Sequence, residues 1–192
     1  MRKQLCVLIL LILGGAFSAR AQDVPKWEVS AGYSYVRANL ITPNGCCFSL
    51  NGGAGSLIWN AKDWFGLEGE IGGYHTGNVQ GSGRDLTLIS FMAGPHFAYR
   101  KHERLTPFAH ALLGGGHAGG TLYTGTSTSP GLGTNNNFNM VAGGGLDVNL
   151  GPHVAVRVFQ ADYFLTHFLN GNNDRQNNLR LTFGVVFHFG GR

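Results

Sequence analysis

The residues from 178 to 189 alternate strictly between two kinds of side chain. The residues between the apolar positions are mostly small or polar. The apolar positions are Leu179, Leu181, Phe183, Val185, Phe187 and Phe189. Because successive side chains of a β-strand point to opposite faces, this pattern predicts a strand with one apolar face and one polar face.

The N-terminus has the three parts of a secretion signal. Two basic residues precede an apolar run from Leu5 to Leu13, and Ala19-Arg20-Ala21 fits a signal-peptidase site. We expect residues 1–21 to be a cleavable signal peptide and residues 22–192 to form a single domain. The apolar run is too short to cross about 30 Å of hydrocarbon as a helix, and no later segment has the roughly 20 apolar residues that a spanning helix needs. If the mature chain is in a membrane, strands must put it there.

The charge content restricts the class of protein further. Lys plus Arg number 14 and Asp plus Glu number 10, for a formal net charge of +4. Three of the 14 basic residues and no acid lie in residues 1–21, so the remaining 11 basic residues leave a charge of +1, which gives no argument for nucleic acid. Only 12% of the residues are charged, against about 25% in soluble domains. A water-soluble sandwich or lipocalin-like barrel would carry its charge on the outside, so the composition disfavours both.

The chain contains eight alternating segments of about the length that a tilted membrane strand requires. Short polar connections alternate with long ones rich in Gly, Asn, Thr and Ser, and the long ones are 37–47, 75–85, 118–136 and 165–177. Outer-membrane barrels have this asymmetry between their periplasmic turns and external loops. We therefore predict an all-β fold, an eight-stranded antiparallel up-and-down transmembrane β-barrel preceded by a cleavable signal peptide. The predicted strands are 27–36, 48–59, 64–74, 86–100, 106–117, 137–149, 153–164 and 178–189.

Aromatic residues cluster at the ends of these segments. Amphipathic rings collect where hydrocarbon meets headgroups, so the pattern predicts a girdle on the periplasmic rim. Its members are Trp27, Trp59, Trp64, Tyr99, Phe187 and Phe189. A second girdle on the outer rim would contain Tyr35, Tyr74 and Tyr163.

The signal peptide, the alternating strands, the 31 glycines and the final Phe187-His188-Phe189 resemble the small outer-membrane β-barrel family that includes OmpA-like transmembrane domains. The resemblance implies a bacterial outer-membrane location, contact with outer-membrane lipid, a monomer, and biogenesis by the barrel-assembly machinery, which reads a C-terminal aromatic residue. Here Gly190-Gly191-Arg192 follow that residue, which departs from the family pattern.

The polar face of each strand should line the lumen and carry charges of both signs. We expect a lumen charge network of Glu68, Glu70, Arg100, Asp147, Arg157 and Arg180. Because a narrow lumen solvates charge poorly, acids and bases should pair there, with Glu68 or Glu70 bound to Arg180 or another lumen arginine. A regular seventh strand cannot turn Arg157 and Asp162 both inward, so we predict a β-bulge between them.

The cysteines and histidines give weak signals. Cys46 and Cys47 are adjacent in the first predicted external loop, where a loop disulfide, two inert thiols or a redox or metal role are all open; a bridge between neighbours is strained. The histidines show no metal-ligand spacing, so we expect no metal and no cofactor. They are His75, His96, His102, His110, His117, His153, His167 and His188.

Ser56 and His102 do not lie in the enzyme motifs that would point to a serine hydrolase or a zinc protease. Ser56 lacks a Gly-x-Ser-x-Gly context, and His102-Glu103-Arg104 does not have the spacing of a zinc-binding helix. We therefore expect a non-enzymatic outer-membrane barrel with a structural or surface-interaction role through its long external loops and a polar, largely plugged lumen. The alternative is a narrow porin-like channel for ions or very small solutes. The sequence names no surface ligand.

Overall fold

The computed structural model describes residues 24–42, 45–120, 136–167 and 175–191, without the side chains of residues 40–42, 45 and 46. The signal peptide expected at residues 1–21 lies outside this part of the chain. Eight strands account for most of the described residues: β1 (Pro25–Thr42), β2 (Gly45–Asn60), β3 (Phe65–Thr76), β4 (Leu86–Ala98), β5 (Leu105–Gly119), β6 (Asn136–Asn149), β7 (Val154–Thr166) and β8 (Gln176–Gly191). A short 3₁₀ helix, Val79–Gly81, lies between β3 and β4. Within the described ranges, no helix has the length and apolar character needed to cross a membrane.

The strands form one closed barrel in chain order. Each strand pairs antiparallel with its neighbours in the sequence, and β1 closes the barrel by pairing with β8 from Trp27 opposite Phe189 to Arg37 opposite Leu179. The predicted eight-stranded, antiparallel, up-and-down barrel is therefore confirmed. We call the end with the connections 61–64, 99–104 and 150–153 the short-turn end, and the opposite end the loop end.

The prediction for the first external loop is wrong, because the loop is much shorter than the predicted segment 37–47. β1 continues to Thr42 and β2 begins at Gly45, so most of the segment 37–47 is strand. The alternation continues past the predicted end of β1. Ala38 still turns into the barrel, where it lies opposite Phe48 of β2, and both residues belong to the apolar cluster inside. Cys47 forms a disulfide bond, and the side chain of Cys46 lies outside the described part of the chain.

The outer surface of the barrel is a continuous apolar face. On β3 the exposed and buried residues alternate from one end to the other, and Ile71 at its centre is 54% exposed. The C-terminal alternation behaves in the same way, with Phe183 and Phe187 outside and Arg180 and His188 inside. Apolar side chains in such numbers on an outer surface indicate lipid, because monomeric soluble proteins rarely expose large contiguous apolar patches.

The inside of the barrel is divided into two layers, which the sequence did not predict. At the loop end the interior is mostly apolar: about 390 Å³ of space there, part of it open to solvent, is bounded mainly by aliphatic and aromatic side chains, with Thr166, Gln176 and Asn178 on one side. This apolar cluster comprises Val36, Ala38, Phe48, Leu50, Tyr74, Val79, Leu86, Leu88, Met92, Leu112, Ala118, Val141 and Phe164. The middle and the short-turn end contain the buried charges. The expectation of a polar lumen is thus correct for only part of its length.

All six aromatic residues predicted for the periplasmic rim lie at the short-turn end, and all six side chains are exposed. Trp27 pairs across the sheet with Trp59 on one side and Phe189 on the other, while Trp64 and Tyr99 occupy the connections next to β3 and β4. The outer set differs from expectation. Tyr163 is exposed and Tyr35 is half-buried, but Tyr74 is inside the barrel, where its hydroxyl accepts a hydrogen bond from Arg180.

We expect the native tryptophan fluorescence to report the short-turn rim of the barrel, because the chain has three tryptophans and all of them lie there. In bilayers of brominated phospholipid, bromine close to the glycerol should quench this emission more strongly than bromine near the chain ends. A Phe91→Trp variant in a tryptophan-free background provides the control, since Phe91 is exposed at the middle of β4 and should show the opposite order. Emission that acrylamide quenches freely and brominated lipid does not would contradict a rim buried in headgroups.

The predicted β-bulge lies in β7. The register shifts between Arg157 and Gln160 relative to β8, and at the same place relative to β6. The two residues between them, Val158 and Phe159, are both exposed, whereas Arg157, Gln160 and Asp162 are buried. One extra residue therefore turns both charges of β7 into the lumen.

Deleting Val158 should leave a foldable barrel, because it removes the extra residue and restores regular alternation with Arg157 and Asp162 both inside. Deleting Ala161 should impair folding, because the strand then either keeps the bulge and turns Asp162 towards lipid, or becomes regular and turns Gln160 away from its partners Arg157 and Asp162 while Phe159 enters the lumen. Migration of unheated samples on SDS gels, where a folded barrel differs from the unfolded chain, measures both results. Equal behaviour of the two deletions would contradict this account of the bulge.

Candidate functional site: the charged lumen

The charged groups at the centre of the lumen come from inward positions on six strands. Alternation along β3, β4, β5, β6, β7 and β8 turns every second side chain into the barrel, and antiparallel pairing sets the level at which each side chain lies. We call the set that these positions bring together the ionic network. It consists of Glu68, Glu70, His96, His110, Asp147, Arg157, Gln160, Asp162 and Arg180.

Arg180 is the centre of the ionic network and has no solvent-exposed surface. Its two terminal nitrogens donate to the two carboxylate oxygens of Glu70 at 2.5 and 2.9 Å. Its Nε donates to Asp162 Oδ2 at 2.8 Å, and Nη1 also donates to the Tyr74 hydroxyl at 2.9 Å. The guanidinium therefore joins β8 to β3 and β7 across the lumen, through a bidentate contact of the kind that gives strong, directional ion pairs.

A second branch of the ionic network runs along β7 to β6. Gln160 donates to Asp162 Oδ2 at 2.7 Å and accepts from Arg157 Nη1 at 2.8 Å. Arg157 in turn donates to both carboxylate oxygens of Asp147 at 2.9 and 3.0 Å, and its guanidinium carbon lies 4.2 Å from the centre of the Phe108 ring. Each buried charge of this branch thus has an opposite charge or a hydrogen-bonding amide beside it, as burial requires.

The third branch contains two histidines. Glu68 Oε2 lies 2.8 Å from His96 Nδ1 and 2.9 Å from His110 Nδ1. The other ring nitrogen of His110 lies 3.0 Å from Asp162 Oδ1, which links this branch to Arg180. His96 stacks on Phe108, with ring centres 5.3 Å apart and planes 17° from parallel, so its ring orientation is fixed from a second side.

A smaller charged group lies at the short-turn end of the lumen. Glu28 pairs with Arg100 and accepts a hydrogen bond from Asn60 Nδ2 at 2.6 Å. Arg100 also donates to the backbone oxygen of Asp63 in the turn before β3, at 2.7 Å. His188 Nε2 lies 3.9 Å from the second oxygen of Glu28. This group covers the ionic network from the side of the turns.

Two glycines make room for these side chains. A Cβ on Gly143 would collide with Asp162 Oδ1 and with the backbone oxygen of Ala161. A Cβ on Gly72 would collide with the Tyr74 hydroxyl that Arg180 contacts. Glycine at these positions is therefore required by the close approach of the ionic network to the barrel wall.

The structure places the six lumen residues named from the sequence as follows. Glu70 binds Arg180, Asp147 binds Arg157, Arg100 belongs to the separate group with Glu28, and Glu68 contacts histidines and no arginine. Three participants were missed by sequence reasoning: Glu28, His110 and Gln160. The alternation of inward and outward residues could have identified Glu28 and His110, because each has outward-facing neighbours on both sides. Whether Gln160 faces the lumen or the lipid depends on the bulge.

The family relationship agrees with this architecture. The sequence matches the outer membrane protein β-barrel domain family over residues 6–189, and the chain belongs to that family. Its location is accordingly the bacterial outer membrane. A comparison with curated protein sequences found no match.

Solved structures with the same fold are also outer-membrane proteins. Neisserial surface protein A (NspA) superposes with a TM-score of 0.64 at 16% identity, covering 85% of this chain and 97% of that protein. Ail, the attachment invasion locus protein of Yersinia pestis, gives 0.55 at 18% identity, covering 85% and 99%. OprG from Pseudomonas aeruginosa gives 0.59 at 10% identity, covering 91% and 100%. At these identities the likeness establishes the fold alone.

Proposed function

We propose that this chain is a non-enzymatic outer-membrane barrel with a closed lumen, whose role is structural or is carried by the loops outside the membrane. One observation carries the proposal: the ionic network spans the lumen, and Arg180 at its centre is fully buried while it binds groups from two other strands. A barrel of about eight strands has an interior that side chains can fill, whereas water-filled porins have 16 to 18 strands.

The apolar layer supports the same proposal. A hydrated ion that passed the ionic network would next meet the aliphatic and aromatic side chains of the loop end, among them Leu50, Leu112 and Phe164. An apolar constriction opposes the passage of ions because water withdraws from it. Two obstacles of different chemistry thus lie in series along the barrel axis, and the ionic network is the more complete of the two, because the apolar end contains space that is partly open to solvent.

The cellular setting follows the family pattern. We place the short-turn end in the periplasm and the loop end outside the cell, because outer-membrane barrels have short periplasmic turns and long external loops. Residues 1–21 serve as the secretion signal, and the barrel-assembly machinery inserts the chain as a monomer. The girdle residues lie at the level of the periplasmic headgroups. No surface ligand is assigned, since the longest connection, 121–135, lies outside the described residues.

A narrow channel is the second candidate, and one observation favours it. A space of about 240 Å³, part of it open to solvent, adjoins Glu70, Arg157 and Gln160. Such space would allow a guanidinium to change its carboxylate partner and open a water path. The channel candidate therefore needs the ionic network to rearrange at moderate voltage, and the closed-lumen proposal needs it to stay in place.

Planar-bilayer recording separates the two candidates. We expect the refolded chain from Gln22 onward to give no discrete current steps, and a Glu70→Gln/Arg180→Met variant to give them, because both charges of the central pair are then removed without large changes in side-chain volume. Arg37→Met is the matched control, since Arg37 is exposed near the loop end of β1. Steps of the same size in the native chain and in the pair variant would contradict a lumen closed by this pair and would favour the channel.

A further inference from the structure

Glu68, His96 and His110 have the chemistry of transition-metal ligands. One ligand atom from each residue lies within 4.8 Å of those of the other two, and all three residues are buried. Two imidazoles and one carboxylate form a ligand set for Zn²⁺ and related ions, whereas Ca²⁺ and Mg²⁺ take sites built of oxygen atoms. We propose that this lumen cluster binds one divalent transition-metal ion, with Zn²⁺ as the best fit to the donors.

The hydrogen bonding of His110 is the first argument. Its Nε2 lies 3.0 Å from Asp162 Oδ1, and because an ionised carboxylate only accepts, Nε2 carries the hydrogen. In a neutral ring the lone pair is then on Nδ1, which faces Glu68 Oε2 at 2.9 Å. Two acceptors at that distance repel each other unless a proton or a metal ion lies between them. Metal-bound histidines have this arrangement, in which a carboxylate holds the second ring nitrogen and fixes the tautomer.

The charge balance of the lumen is the second argument. With neutral imidazoles, the buried interior of the described residues has five carboxylates and three guanidinium groups, and so two excess negative charges. The groups are Glu28, Glu68, Glu70, Asp147, Asp162, Arg100, Arg157 and Arg180. Uncompensated charge inside a protein is costly. One divalent cation restores neutrality; two protonated histidines, His96 and His110, are the competing solution.

The third argument is an oxygen without a donor. Glu68 is 2% exposed, and its Oε1 has no hydrogen-bond partner among the described residues. An ion bound by both oxygens of Glu68 would satisfy Oε1 and still contact the two imidazole nitrogens. Ligand atoms around tetrahedral Zn²⁺ are separated by about 3.3 Å, as bond lengths of about 2.0–2.1 Å require. Oε2 therefore has to withdraw from each nitrogen by only a few tenths of an ångström, and the two nitrogens, which lie within 4.8 Å of each other, have to reach the same spacing.

The framework around the cluster is rigid enough to hold an ion. His96 on β4 pairs directly with His110 on β5, and Glu68 on β3 pairs with Gly94 on β4, so neighbouring strands fix all three backbones. His96 and His110 follow Glu68 by 28 and 42 positions in the sequence. Such long separations do not match a metal-ligand motif, which is why the sequence did not predict this cluster. A bound ion would thus tie three successive strands together inside the lumen.

Cobalt loading tests the proposal without any activity assay. The untagged chain from Gln22 onward is refolded in detergent with Co²⁺ present, and unbound ion is removed by dialysis. We expect about one Co²⁺ per folded barrel, with the visible absorption of a four-coordinate Co²⁺ site, and loss of that absorption when Zn²⁺ displaces it. A native barrel that folds and retains no Co²⁺ overturns the proposal and leaves the protonated histidines as the balancing charge.

Substitutions then locate the ion. Glu68→Gln and His110→Asn should each weaken Co²⁺ binding by more than about 100-fold, since even the loss of a residue that only holds a metal ligand in place costs about 10–100-fold. His117→Asn should leave binding unchanged, because His117 is also on β5 but its side chain is exposed at the loop end. Native affinity in a folded Glu68→Gln or His110→Asn barrel overturns the assignment. Should either variant not fold, the loading of the native chain and the other variant still decide.

Discussion

Replacing Arg180 with alanine is expected to lower the free energy of unfolding by about 3–5 kcal/mol, the cost of removing one partner from a buried ion pair. The substitution deprives Glu70 of the guanidinium that contacts both of its oxygens, and Asp162 of one of its three donors. Both carboxylates stay buried because the barrel wall surrounds them. This is the largest effect that we expect from any single charge removal in the chain.

Urea titration in phospholipid vesicles, followed by tryptophan fluorescence, measures this loss. Arg37→Ala is the matched control, and we expect it to change stability by less than about 0.5 kcal/mol because Arg37 is exposed. Adding Glu70→Gln to the Arg180 variant should recover part of the loss, since one of the two stranded charges then disappears. An Arg180→Ala barrel as stable as the control would contradict the central position of Arg180 in the ionic network.

Replacing Ile71 with lysine is expected to cost about 2–4 kcal/mol, the penalty for a basic side chain at the midplane of a membrane barrel. Ile71 is 54% exposed at the middle of β3, with Phe91 opposite it on β4. On a water-facing surface the same substitution would be nearly neutral. The sign and size of this effect therefore report the solvent that the outer face meets.

The control for this prediction uses the depth of the bilayer. Leu105 is 44% exposed at the first position of β5, on the short-turn rim, so Leu105→Lys should cost only about 0–1 kcal/mol. The same urea titration in vesicles compares the two variants. If both lysines cost little, the outer face does not lie in hydrocarbon. If both cost the same large amount, Leu105 is not at the membrane interface.

Alternation made the strands and their faces predictable. Side chains with a period of two can be assigned to the inside or the outside without knowledge of any partner strand, which is why Glu70, Asp147 and Arg180 were placed in the lumen. The charge conflict between Arg157 and Asp162 likewise required a bulge, because a lipid-facing charge is more costly than one extra residue. The lengths of the segments and the alternation of side chains along them thus predict most of the fold.

The level of each side chain along the barrel axis was not predictable in the same way. It depends on the stagger between strands, and stagger decides that Glu68 lies beside His110 while Glu70 reaches Arg180. Tyr74 was misplaced for a different reason: it was assigned to the outer rim from its position at a strand end, although alternation with outward residues already places it inside. The apolar layer at the loop end was missed because it, too, depends on stagger: Leu50, Leu112 and Phe164 lie within predicted strands, but the level at which they meet does not follow from alternation.

Spin labels along β3 test most directly the claim that the apolar face of this barrel lies in lipid. A nitroxide is attached at Leu67, Gly69, Ile71 or Gly73, one per sample, in a chain whose own cysteines are replaced and which is reconstituted in bilayers. These four positions are outward, and the two glycines have open space beside them. We predict frequent collisions with oxygen, which concentrates in hydrocarbon, and few with a water-soluble nickel complex, with the contrast greatest near Gly69 and Ile71. Ready collisions with the nickel complex at all four positions would mean that this face meets water, and would contradict the account.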